Sequence, residues 1–100
     1  PITLPIQCGP VRLDAVRHAV FAAETEIALT LTEFRLLEDL LRHPGQIRTR
    51  EQLLDSVWGY SFEGYARTVD THIRRLRAKL GDAADLVETV RGIGYRARSD

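Results

Sequence analysis

Hydrophobic spacing changes twice along the chain, and each change marks a block of structure. Up to residue 29, Val, Ile and Leu come in short runs broken by Gly9-Pro10, Asp14 and Glu24-Thr25-Glu26. This predicts strands over Val11 to Leu13, Val16 to Phe21 and Glu26 to Leu29. At residue 30 the period lengthens. Thr30 and Glu33 have the spacing of a capping box, and Leu29 and Phe34 that of a hydrophobic staple, so a first helix starts near Leu31. Phe34, Leu37 and Leu41 follow at i, i+3 and i+7 with Leu40 beside them, giving one core-facing stripe. His43-Pro44-Gly45 ends it, because Pro44 disfavours helix in the residue before it and Gly45 permits a left-handed turn. Thr49 and Gln52 form a second capping box, and Leu53, Leu54, Val57 and Trp58 make the inward face of a second helix before Gly59. Gln46 to Arg48 is a candidate short strand, and Tyr60 to Ala66 reads as a loop. Arg67 to Leu80 is a third helix, closed by Gly81-Asp82. Two β-like runs, Leu86 to Arg91 and Tyr95 to Arg98, flank Gly92-Ile93-Gly94, whose glycines supply the positive φ of a hairpin turn.

One hundred residues build one core and not two, so residues 1–100 read as a single domain. With 44% hydrophobic and 28% charged residues the chain falls outside the disordered and low-complexity classes. The longest apolar run, Ala19 to Ala23, is far too short to span a bilayer. The lone Cys8 can form no internal disulfide and no thiolate zinc site, which points to a reducing, cytoplasmic setting. His18, His43 and His72 are scattered, with no carboxylate or thiol at ligand spacing and no base placed near Cys8. No metal, cofactor or catalytic site is expected, and so no enzyme. The chain begins at Pro1 rather than Met, which suggests a piece of a longer protein.

Net charge is zero, but its distribution is uneven. Residues 1–66 carry six Arg against nine acids, a balance of −3, while residues 67–100 carry seven Arg and Lys79 against five acids, a balance of +3. The third helix concentrates this excess. At 100° per residue, Val69, Ile73, Leu76 and Leu80 form a narrow apolar stripe, and Arg67, Thr71, Arg74, Arg75 and Ala78 lie opposite it. Such a face suits a major groove, where Arg can donate twice to guanine O6 and N7 and Thr can touch a thymine methyl. Thr68, His72 and Lys79 fall on one flank and Arg77 on the other, where phosphates would run. An ordinary solvated helix would alternate charge signs at i, i+4 spacing, yet Asp70 is the only acid in this one.

The runs LTLTEFRLLEDLLRHPGQIRTREQLLDSVWG, RTVDTHIRRLRAKL and ETVRGIGYR, in that order and spacing, closely resemble the effector domain of OmpR/PhoB-family response regulators. The resemblance covers residues 29–98, and the strand-rich segment before it fits the family's N-terminal sheet. It implies an α+β fold, a winged helix-turn-helix with an N-terminal four-stranded antiparallel sheet, three helices and a C-terminal β-hairpin wing. Carried over by motif, Thr71 and Arg75 are base readers, and Arg91 enters the minor groove. Arg67, Thr68, His72, Arg74 and Arg77 hold phosphates, joined by Thr89 on the DNA-facing side of the wing. Trp58 either offers its indole N–H to a phosphate or is purely structural. Tyr95 either contacts the DNA backbone or fills the base of the wing. The loop Tyr60, Ser61, Phe62, Glu63, Gly64 and Tyr65 corresponds to one that touches RNA polymerase. The sequence departs from the family at Leu31, usually Pro, at Thr71, commonly Val, and at Tyr65-Ala66, where Asp or Asn is usual.

The function implied is sequence-specific binding of double-stranded DNA and control of transcription in a two-component system. The phosphorylated receiver domain, and through it a sensor histidine kinase, would act from a part of the protein absent from this chain. A monomer is expected free in solution and a tandem dimer on direct repeats of DNA. Two alternatives remain at this stage: a winged helix used for protein contacts, and a related regulator without a phosphoreceiver domain.

Overall fold

The computed structural model describes residues 4–59 and 66–98, so the expected polymerase loop over residues 60–65 lies outside the described residues. A four-stranded antiparallel meander comes first: β1 (Ile6–Cys8), β2 (Val11–Asp14), β3 (Ala19–Ala22) and β4 (Thr25–Ile27), in that spatial order. Strand β1 was not among the strands predicted from hydrophobic spacing. It forms because Gly9, at φ +56°, turns the chain so that Cys8 pairs with Val11. The expected strand over Val16 to Phe21 starts only at Ala19. Residues 15–18 instead close a four-residue turn, with His18 in the left-handed region at φ +53° and Val16 exposed. Ala23 and Glu24 both take positive φ, 48° and 70°, in the two-residue turn between β3 and β4. Strand β4 ends two residues before the expected Leu29.

Helix α1 (Leu31–Arg42) begins at the expected capping box: Glu33 N–H donates to Thr30 Oγ1 at 3.2 Å and Thr30 N–H donates to Glu33 Oε1 at 2.9 Å. Gly45 supplies the left-handed turn after it, at φ +74°. Helix α2 (Arg50–Leu53) has the second capping box, Thr49 with Gln52, and widens into a π-helical turn over Leu54–Trp58 before Gly59 at φ +100°. Helix α3 (Ala66–Leu80) runs into a 3₁₀ turn over Gly81–Leu86. Strands β6 (Val87–Val90) and β7 (Gly94–Ala97) form the wing, and β5 (Arg48–Thr49) pairs with β7 to complete a three-stranded sheet ordered β5-β7-β6.

One core joins these layers. Val11, Leu13 and Val20 on the inner face of the first sheet meet Phe34, Leu36, Leu37, Leu40 and Leu41 of α1, and with them Val69, Ile73, Leu76 and Leu80 of α3. The two buried acids of α1 are each answered by a cation. Glu33 accepts from Lys79 Nζ at 2.6 Å, tying the start of α1 to the end of α3. Asp39 accepts from both the Nε and Nη2 of Arg48, at 2.8 and 3.1 Å, and from Ser56 Oγ at 2.5 Å, locking β5 and α2 onto α1.

Gly94 serves a purpose other than the expected turn. It lies within β7, opposite Thr49 and Val90, and a Cβ there would sit 2.1 Å from the Arg48 carbonyl oxygen. The positive φ of the wing turn belongs to Gly92 alone of the two, at 78°.

Candidate nucleic-acid interface

Helix α3 buries Val69, Ile73, Leu76 and Leu80 and turns Arg67, Arg74, Arg75 and Ala78 to solvent, the division its periodicity predicts. Among the described residues, no carboxylate lies within ion-pair distance of Arg67, Arg74, Arg75 or Arg91. Thr71, half-buried, donates its hydroxyl back to the Arg67 carbonyl at 3.0 Å. His72 does likewise: its Nδ1 stands 2.8 Å from the Thr68 carbonyl oxygen, so Nδ1 carries the proton and donates. Its ring meets the Trp58 indole edge-on, centroids 5.1 Å apart at 76°, so the end of α2 and one flank of α3 form a joined surface.

The other flank of α3 is engaged internally. Arg77 donates from Nε and Nη2 to the Val87 carbonyl oxygen, at 3.1 and 2.7 Å, and from Nη2 to Thr89 Oγ1 at 2.7 Å. Tyr95 is buried, 5% exposed, and donates its hydroxyl to Asp70 Oδ1 at 2.5 Å. Arg50 Nε donates to the same oxygen at 2.8 Å. Burial works to raise the Asp70 pKa, but the hydrogen bonds from Arg50 and Tyr95 and the charges of Arg50 and Arg67 outweigh it and hold the carboxyl below its ordinary value. Burial, then the hydrogen bond and charge of Asp70, push the Tyr95 phenol up. Lys79, the remaining flank cation, is held by Glu33.

Of the residues expected to meet a nucleic acid, Arg67, Arg74 and Arg75 therefore share one open face with Thr71. Thr68, His72 and Trp58 border it, and Arg91 stands exposed beside the wing turn with Ile93. Arg77, Thr89 and Tyr95 are brought together under the wing. Arg50 did not figure in the sequence expectation, since its partner lies twenty residues on. A lone acid in an otherwise basic helix was the available hint that Asp70 had such a partner. Among the described residues, no three His, Cys, Asp or Glu converge as a metal site, and no helix is long and apolar enough to cross a membrane.

Comparison with known proteins places this geometry. Residues 24–97 match the family described as "Transcriptional regulatory protein, C terminal". The sensory transduction protein RegX3 of Mycobacterium tuberculosis is 47% identical over 94 residues, which cover 91% of this chain and 41% of that protein. The phosphate regulon transcriptional regulatory protein PhoB of Rhizobium meliloti is 45% identical over 96 residues, covering 94% of this chain and 42% of PhoB. The chain thus spans about two-fifths of the length of these relatives. Among solved structures, the Klebsiella pneumoniae RstA DNA-binding domain, in complex with the RstA box, superposes with a TM-score of 0.85 at 35% identity, covering 96% of this chain and 98% of that one. With its family matched over three-quarters of its length and its sheet, three helices and wing in the same arrangement, this chain belongs to the C-terminal, winged-helix domains of the OmpR/PhoB-type transcriptional regulators.

Proposed function

We propose that this domain is the DNA-binding effector end of a two-component response regulator, and that it finds its operator by laying α3 in the major groove. The observation that carries the proposal is the open face of α3, where Arg67, Arg74 and Arg75 stand exposed with no carboxylate of the described residues within ion-pair distance, while Arg50 and Lys79 beside them are paired with Asp70 and Glu33. A cluster of exposed cations on the outside of a helix makes a local positive potential that draws in a polyanion. A DNA duplex answers it with its phosphates and with the acceptor edges of guanine. Arg75 and Thr71 would read bases. Arg67, Thr68, His72 and Arg74, with the Trp58 indole, would hold phosphates at the sides of the groove. Arg91 would enter the neighbouring minor groove, drawn by the potential of a narrow A·T-rich stretch. The RstA and AdeR DNA-binding domains, solved in complex with the RstA box and with an intercistronic region, support DNA as the partner.

Family membership alone supports the remaining parts: two copies in tandem on direct repeats, RNA polymerase contact through residues 60–65, control by a receiver domain and its sensor histidine kinase, and a cytoplasmic setting. The domain acts by binding and not by catalysis. Selection of bound duplexes from a random pool, followed by titration of the enriched sequence against a scrambled one, tests the function. The enriched duplex should bind at least about a thousandfold more tightly than the scrambled one. Absence of any enriched sequence would refute it.

A further inference from the structure

Helix α3 holds the wing by both of its strands, at one rung and beside it. Thr89 of β6 and Tyr95 of β7 are cross-strand partners. Arg77 takes the β6 side through Thr89 Oγ1 and the Val87 carbonyl, and Asp70 takes the β7 side through the Tyr95 hydroxyl. Seven residues at 100° each return to within about 20° around the helix axis. Asp70 and Arg77 therefore leave the same edge of α3, two turns apart, as two jaws. The Tyr95 ring lies between them: the guanidinium carbons of Arg77 and Arg50 stand 5.7 and 5.9 Å from its centroid. Arg91 follows Thr89 by two residues. Strand β5 fastens the wing along β7, but β6 is the edge strand of that sheet, so the direction of the tip also depends on what holds β6.

We propose that Arg77 and Asp70 are positioning residues for DNA reading, clamping the wing at the Thr89–Tyr95 rung and thereby fixing where Arg91 stands relative to the face of α3. The proposal rests on the DNA-binding reading and assigns Arg77 to the wing instead of to a phosphate. A cation that senses groove width must be held within a fraction of an ångström of its place, and the clamp supplies that constraint from the same helix that reads the major groove. Loosening it leaves major-groove binding in place and blurs the choice of flank.

The test compares this chain with its Arg77→Met, Arg77→Lys, Thr89→Val and Arg91→Ala variants. Amide hydrogen exchange in the free proteins reads wing order at Thr89, Arg91 and Gly92. Affinity over a salt series, on operators differing only in an A·T-rich or G·C-rich flank, reads what that order does. The clamp expects Arg77→Met and Arg77→Lys to speed exchange at the wing at least tenfold relative to the core of α3. Thr89→Val, which removes a single hydrogen bond, should do so less. Arg77→Met should halve the wild-type flank preference or more, leave the slope of log affinity against log salt unchanged, and add no further loss of preference to Arg91→Ala. Unchanged wing exchange in Arg77→Met would overturn the clamp whether or not the domain binds DNA. So would a salt slope reduced by about 0.9 with flank preference intact and restored by Arg77→Lys, because that is the signature of a phosphate contact. A wild-type chain that binds no duplex at low salt would instead refute the DNA-binding reading, while the exchange data still decide the clamp.

Discussion

At the scale of single residues, the same amino acid serves opposite ends according to what surrounds it. Arg74 is open to solvent, while Arg77, three residues on, has its Nε and Nη2 donating to wing oxygens. Arg74→Ala should weaken binding to all sequences alike and lower the salt slope by about 0.9, measured by titration at several ionic strengths. Gly94 shows a different residue-scale constraint, set by distance. A methyl 2.1 Å from the Arg48 carbonyl oxygen cannot be accommodated without moving β5 away from β7. Gly94→Ala should therefore cost about 1–3 kcal/mol, a fall in Tm of roughly 4–8 °C per kcal/mol in thermal unfolding. A Tm equal to that of the wild type would mean that β5 and β7 are not held so close.

At the scale of elements, local chemistry that the chain carries within a few residues was legible and long-range pairing was not. Both capping boxes and the buried stripe of α3 were readable because each needs only residues three or four apart. The turn at Ala23-Glu24 was not, because it lacks the Asn-Gly pair that announces two successive left-handed residues. Replacing both, Ala23→Asn with Glu24→Gly, should relieve that strain and stabilise the domain by about 1 kcal/mol, read from denaturant unfolding. The partners of Glu33 and Asp70 were equally hidden, since Lys79 lies 46 residues from one and Arg50 twenty from the other. Their consequence is a pH dependence. Burial acts to raise the Glu33 pKa, but Lys79 and the Thr30 amide outweigh it, so the folded value lies below the unfolded one. A lowered folded pKa contributes stability that is complete above the unfolded value, about 4.3 for Glu, and is lost as pH falls from there through the folded value. Between pH 7 and pH 3, Tm should fall, and Glu33→Gln should flatten that fall. An identical profile in the variant would show that the Lys79 pair contributes nothing to it.

At the scale of the whole molecule, the fold divides its faces: α1 and α2 pack against α3 from behind, and the wing stands to one side of its open face. The outline of sheet, three helices and hairpin could be read from the change of hydrophobic period. The internal use of Arg77, Thr89 and Tyr95 could not, because it depends on how the wing is set against α3. No long apolar heptad seam is present to demand a stable dimer, so binding should be cooperative only on tandem sites about one helical turn apart. Equal affinity per copy for one half-site and for a spaced pair would contradict tandem assembly. The central claim, that the exposed face of α3 reads bases, is tested most directly by selecting duplexes from one random pool with the wild type and with Arg75→Ala. The wild type should give a defined motif and the variant the same motif relaxed at one base pair, with a loss of about 1–3 kcal/mol on the preferred site. Identical motifs from the two proteins, with affinity lowered uniformly, would contradict it.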